Sequence, residues 1–232
     1  MSSSPTTSLT TPPTTSLTVY GDFNCPWSYL TWRRSEQLRG DGVEVDWRAV
    51  EHDPWQHQTP ERAAERQHTT RAALHEVEKG LLPGERLPHA FTGAVPFTGA
   101  ATAAYAEAVV AGMAADARRV LFEAFWLHGA DLDNARVVRD LLAGTLRGRP
   151  SRSELVRLWG YAVDVTGGPI TTDAWRLVRD WRKEWQGLGE EVVPALSFGP
   201  DSWLHGKDVV ERLGHEVHSR GLDASDSTHK PA

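Results

Sequence analysis

The chain has 232 residues, 40% of them hydrophobic, enough to bury a sizeable core in one domain or in one domain that carries a large insertion. A formal net charge of -6 and a pI near 5.9 leave no basic stripe to follow a phosphate backbone, so no nucleic-acid partner is expected. No apolar run approaches the roughly 18 residues that a bilayer-spanning helix needs, so a soluble protein with no membrane association is expected.

The opening MSSSPTTSLTTPPTTS lacks the basic start and apolar centre of a secretory signal. Its Ser/Thr/Pro composition cannot offset the entropy of ordering, so residues 1–16 are expected to be a disordered tail. Leu17-Thr-Val-Tyr-Gly-Asp-Phe23 is rich in β-branched and aromatic residues and reads as a short buried strand ending at Asn24. Pro26 marks the start of a helix over 26–39, because a proline at the first helical position gives up only an N–H that has no partner there. Val43 to Val50 alternates with period two and reads as a second strand, completing a βαβ unit.

Residues 60–189 carry helical signals throughout and read as a helical subdomain. Tyr105, Ala108, Val109 and Met113 share one helix face, while Val120, Leu121, Ala124, Phe125 and Leu127 line another. Asp133 and Ser151 stand where N-caps belong, Ser151 with Glu154 at capping-box spacing. Trp159, Trp175, Trp181 and Trp185 fall on these helices, as core residues or as the lining of a cleft. Strands return at 192–198 and 203–205 around a turn at Gly199-Pro-Asp, a last helix spans 207–220, and 222–232 reads as a second disordered tail. An apolar face of the inserted helices is open to packing internally or against a second copy in a homodimer.

Cys25 is the only cysteine, which excludes an internal disulfide and points to a reducing, cytoplasmic compartment. It immediately precedes a helix, where unpaired N–H groups and the macrodipole favour thiolate over thiol. Such placement lowers a thiol pKa from about 8.5 toward roughly 3.5–7.5, making Cys25 a candidate nucleophile; burial as an inert core cysteine is the competing reading. His52, Asp53 and His57 lack the spacing and companions of a metal site and read as surface residues. Asp131, Asp133 and Asn134 lack the later glycine and glutamate of a calcium loop and read as a turn and cap, so no metal is expected.

The segment Val19-Tyr-Gly-Asp-Phe-Asn-Cys-Pro-Trp-Ser28, the helical insertion, and Val193-Pro194 ahead of a final hairpin and helix together resemble the DsbA family, particularly its FrnE-like branch. The resemblance implies an α/β thioredoxin fold, with residues 17–59 and 190–221 as the thioredoxin-like domain and 60–189 as an all-helical insertion between its βαβ and ββα halves. It also implies that Pro194 is cis and that Val193 offers backbone hydrogen bonds to a substrate, with Pro26 and Trp27 lining the groove. The family usually carries Cys-x-x-Cys, whereas the fourth position here is Ser28. No local sulfur can then resolve a mixed disulfide, so the implied chemistry is monothiol, with glutathione or another low-molecular-weight thiol as cosubstrate and protein or small-molecule disulfides as partners. Ser28 can donate a hydrogen bond to the sulfur one helical turn away. Kappa-class glutathione transferases and 2-hydroxychromene-2-carboxylate isomerases look like this architecture too, usually with serine at the position of Cys25. A glutathione-dependent transferase or isomerase is therefore one alternative, and a redox-inert binding module another.

Overall fold

The fold is known from a computed structural model that describes residues 17–54, 59–88, 93–189, 191–199 and 202–227. The expected tail at 1–16, the last residues of the chain, His57, and Pro200 and Asp201 of the predicted turn lie outside the described residues.

A four-stranded sheet forms in the order β2-β1-β3-β4. β1 (Leu17–Gly21) lies inside the sheet and is buried at every position except Thr18, as expected of a strand paired on both edges. β2 (Val45–Ala49) pairs parallel to β1, with Val19 opposite Trp47, and α1 (Pro26–Gly40) makes the crossover between them. β3 (Ala195–Gly199) runs antiparallel to β1, and β4 (Ser202–His205) antiparallel to β3 at the exposed edge. The strands are shorter than their sequence patterns for two physical reasons. Asp22 leaves the ladder to turn the chain, its carbonyl accepting from the Cys25 N–H at 3.3 Å. Pro194 has no N–H to offer, so β3 begins only after it.

Between β2 and β3 lie α2 (Pro60–Lys79), α3 (Gly99–Val110), α4 (Ala114–His128), α5 (Ala135–Leu146), a π-helical turn (Leu155–Trp159) and α6 (Thr172–Gln186). α3 is buried from Ala100 through Ala108, and its small side chains let α4, α5 and α6 pack around it. Met113 does not extend its face: the helix stops at Val110, Gly112 takes a φ of 73°, and Met113 caps α4. Leu127 is exposed, and Phe122 and Trp126 are buried on α4 in its place.

Two capping expectations shift. Asn134 rather than Asp133 caps α5, its side chain accepting from the N–H groups of Arg136 at 3.0 Å and Val137 at 3.5 Å. Ser151 turns back on the Ser153 N–H at 3.1 Å, and the π-helical turn that follows starts only at Leu155. α7 (Lys207–Ser227) packs on α1 and runs past residue 220, so residues 222–227 of the expected tail are helical. Gly221 costs a helix about 1 kcal/mol against alanine but does not end it, and no proline follows until Pro231. No described helix is long and apolar enough to cross a membrane.

Phe122 joins the two halves of the molecule. Its ring stacks on Trp32 of α1 at 4.9 Å and 7°, and also meets Phe23 at 5.0 Å and Trp47 of β2 at 5.5 Å. Replacing Phe122 with alanine is expected to cost about 3–5 kcal/mol. Urea unfolding followed by tryptophan fluorescence checks this, and a loss below about 1 kcal/mol contradicts it.

Candidate active site

The site is built where β1 ends, α1 begins and the chain enters β3. Cys25 is the N-cap of α1 in an extended conformation, with φ -88° and ψ 124°, and Pro26 opens the helix. Its thiol donates to the Val193 carbonyl at 3.6 Å, and the Val193–Pro194 peptide bond is cis. The structure thus brings Cys25, Pro26, Trp27, Ser28, Val193 and Pro194 together across two distant parts of the sequence. Two tryptophans hold the halves in place. Trp126 donates to the Phe23 carbonyl at 2.9 Å just before Cys25, and Trp185 donates to the Val192 carbonyl at 3.1 Å just before Val193. Trp181 is buried as well, whereas Trp159 and Trp175 are exposed and take no part in a cleft at this site.

A cavity of about 640 Å3 opens on the sulfur. Cys25, Pro26, half-buried Trp27 and Val193 form one wall, and Arg62, Arg66 and Thr70 of α2 form the opposite one. Arg66 is held there by Asp53 at 2.8 Å and lies over the Phe97 ring at 4.1 Å.

Burial governs the thiol. It pushes the Cys25 pKa up to about 11, against the hydrogen bonds that the Ser28 N–H, the Ser28 hydroxyl and the Trp27 N–H direct at the sulfur; the charge of Asp22 adds to the rise. The expectation of a lowered pKa at the helix start is therefore not met, because desolvation of a nearly enclosed sulfur outweighs the helix terminus. Ser28 is fully buried, and its hydroxyl oxygen accepts from the Asp22 N–H at 3.2 Å.

Beneath the thiol lies Asp22, a fully buried carboxylate. Oδ1 accepts from the Thr98 hydroxyl at 2.5 Å and the Asn24 N–H at 3.5 Å. Oδ2 accepts from the His52 N–H at 2.9 Å and meets His52 Nδ1 at 2.7 Å. Next to it, Glu51 receives the N–H groups of Thr98 at 3.1 Å and Gly99 at 3.0 Å, and burial together with the Asp22 charge raises its carboxyl to about 6. Burial disfavours the His52 imidazolium, but its hydrogen bond to Asp22 and the Asp22 charge more than compensate, and its pKa is raised.

His52 is thus not the surface residue its isolated position suggests: one third of its side chain is exposed, and it lines the cavity that Cys25 lines. Sequence reasoning missed Asp22, His52 and Arg66 as site residues. An acidic residue three before a helix-capping cysteine is the one local signal for Asp22, and nothing near His52 or Arg66 in sequence links them to Cys25. Among the described residues, no group of three or more His, Cys, Asp or Glu side chains is arranged to hold a metal.

A sheet of this order, a cysteine capping its first crossover helix and a cis-proline facing that sulfur define a thioredoxin-fold protein with a thiol site. Residues 16–144 match the model of the DSBA-like thioredoxin domain, and the chain belongs to that family. No curated protein sequence matches it. Among solved structures it is similar to the cytosolic disulfide reductase DsbM from Pseudomonas aeruginosa, at 16% identity and a TM-score of 0.62 over 90% of this chain and 98% of that one. The same reductase with GSH matches at 16% identity and a TM-score of 0.59, over 90% and 99% of the two chains. A 2-hydroxychromene-2-carboxylate isomerase matches at 18% identity and a TM-score of 0.54, over 91% and 98%. At these identities the likenesses bear on fold.

The raised thiol pKa gives a direct expectation. Alkylation of Cys25 in the free protein should keep accelerating with pH through 9, without a plateau near neutrality, because the thiolate forms only as pH approaches about 11. Ser28→Ala removes one hydrogen bond to the thiolate and should move the profile further up. Iodoacetamide labelling followed by mass spectrometry across pH checks both, and full reactivity at pH 6 contradicts them.

Proposed function

We propose that the protein is a thiol-disulfide exchange enzyme that works through Cys25 alone, reducing disulfides with glutathione or a similar small thiol as cosubstrate. The observation that carries the reading is a single cysteine thiol, bonded to the Val193 carbonyl, at the wall of a cavity of about 640 Å3. Cavities of roughly 300–1,000 Å3 take small-molecule ligands, so a tripeptide-sized thiol is within range. Membership of the DSBA-like family and a fold shared with a disulfide reductase that has been solved with GSH support the assignment.

Thiolate at Cys25 attacks one sulfur of a substrate disulfide; the other sulfur departs and takes up a proton, leaving Cys25 in a mixed disulfide. Ser28 offers a hydroxyl where a resolving thiol would stand, so the mixed disulfide waits for an external thiol. That thiol forms a new disulfide with the outer sulfur and returns Cys25 to its reduced form. Net oxidation of a dithiol client does not follow, since the chain has no second cysteine with which Cys25 could form a disulfide to store the oxidising equivalents.

The raised pKa bears on the intermediate. A cysteine stabilised as thiolate leaves its disulfides readily; Cys25 is a neutral thiol at rest, so its mixed disulfide persists until the small thiol arrives, and an excess of reduced small thiol drives the cycle toward reduction. A reducing cytoplasm suits this use. In this reading residues 17–59 and 190–221 are the catalytic thioredoxin-like unit, and the inserted 60–189 closes the cavity over it.

One observation favours a second reading, a glutathione-dependent transferase or isomerase. Cys25 is a neutral hydrogen-bond donor, the role in which a hydroxyl would hold a bound thiolate.

Incubation with oxidised glutathione should add one glutathionyl group to the wild type and none to Cys25→Ala, as read by intact mass. A protein that stays unmodified across pH 7–9 sinks the exchange reading. Full glutathione-dependent turnover by Cys25→Ser moves the assignment to the transferase or isomerase.

A further inference from the structure

We propose that His52 is a catalytic base of this site: its Nε2 takes the proton of the incoming small thiol as that thiol attacks the mixed disulfide on Cys25. The inference rests on the monothiol exchange proposed above and adds the group that activates its second half-reaction.

The geometry assigns the tautomer. His52 sits directly after Glu51 at the end of the β2 segment, and its backbone N–H and ring Nδ1 both reach Asp22 Oδ2, at 2.9 and 2.7 Å. A carboxylate accepts and does not donate, so the Nδ1 position carries the proton and Nε2 keeps a free lone pair. Nε2 makes no hydrogen bond to a described residue. The ring is fixed at one end by a fully buried acid and open at the other, one third exposed, on the wall of the cavity that contains the sulfur. This is the arrangement of an oriented base, in which an acid holds the imidazole and stabilises the imidazolium that forms.

At rest the Cys25 thiol donates its proton to the Val193 carbonyl as a hydrogen bond and keeps it. In the release step it is the cosubstrate that must lose a proton. A free thiol has a pKa of about 8.5, so little of it is thiolate at neutral pH. In the proposed step, R′S–H gives its proton to His52 Nε2 while its sulfur attacks the outer sulfur of RS–S–Cys25. The new disulfide R′S–SR forms, the bond to Cys25 breaks, and Cys25 leaves with the electron pair. His52 then returns the proton to that sulfur. The sum is R′SH plus RS–S–Cys25 giving R′S–SR plus Cys25 thiol, with no further oxidant or reductant.

The charged groups around His52 are Asp22 at the end of β1, Asp53 beside it in sequence, and Arg66 on α2. Arg62, Glu65 and Glu191 share the cavity. The acids hold the imidazolium in place, so the base becomes available as pH rises through the raised pKa of His52.

The test starts from protein carrying a preformed glutathionyl group on Cys25, mixed with excess reduced glutathione, with release followed by intact mass in quenched flow between pH 5.5 and 8.5. Wild type should show an inflection at or above about 6.5, the ordinary histidine value. His52→Asn keeps a donor toward Asp22 but cannot accept a proton; its release should be slower by about 100-fold near pH 7 and should rise with pH without that inflection. His52→Ala should recover rate on addition of imidazole, which a merely structural loss does not allow. Both variants should also take up the glutathionyl group from oxidised glutathione more slowly, because that reaction is the reverse of release and passes through the same proton transfer, so they are loaded by longer incubation at pH 9. Wild-type release rates and pH profile in His52→Asn, or the absence of imidazole rescue in a folded His52→Ala, overturn the role of His52 while leaving the exchange reading intact. A wild type that never acquires the glutathionyl group overturns the exchange reading and this role together.

Discussion

The buried carboxylate of Asp22 is the constraint on which the site depends. A charge removed from water is tolerated only when its lone pairs find donors, and the four donors here come from three places: the turn into α1, the chain after β2, which supplies two, and the start of α3. Satisfying one acid therefore fixes the end of the first strand, the start of α1 and the edge of the helical layer relative to one another. Glu51 repeats the device one step away by receiving the first N–H groups of α3, so two acids join the sheet to the helices where aromatic packing around Phe122 alone would leave polar chain ends unpaired.

The same acid shapes the thiol. A cysteine at a helix N-terminus is usually read as activated, but that reading assumes water near the sulfur. Here the sulfur is buried against the chain at Val193, the negative charge of Asp22 disfavours the thiolate further, and the hydrogen bonds from Trp27 and Ser28 do not offset the loss of solvent. A neutral thiol with no partner sulfur is suited to holding a mixed disulfide until a second thiol arrives. In the proposed exchange reactivity depends on what enters the cavity, so the Arg62, Glu65 and Arg66 side chains of α2 and the imidazole of His52 become as relevant as the sulfur itself.

Much of the frame was legible because its signals are local. The strand-Cys-Pro-helix opening, the alternation through Val45–Ala49 and the proline ahead of β3 each rest on rules that act within a few residues. The errors fall where a neighbour or a glycine intervenes. Met113 belongs to the next helix because Gly112 turns the chain, and Leu127 faces solvent because Phe122 and Trp126 fill the space toward α1. The cap moves from Asp133 to Asn134, a one-residue shift that leaves the hydrophobic pattern unchanged. Trp159 and Trp175 share the residue type of Trp181 and Trp185 but not their surroundings, so composition alone could not sort the exposed pair from the buried one.

The sequence by itself determined that this chain has one sulfur nucleophile, that it stands at the start of a helix, and that a hydroxyl occupies the place of a resolving thiol. Those follow from covalent identity and from spacing along one turn. Only the tertiary structure decided the protonation of that sulfur and the company it keeps. Desolvation is a sum over atoms contributed by segments as far apart in sequence as Cys25 and Val193, and the Asp22–His52 pair exists only because parallel pairing of β1 with β2 brings their ends to the same edge of the sheet.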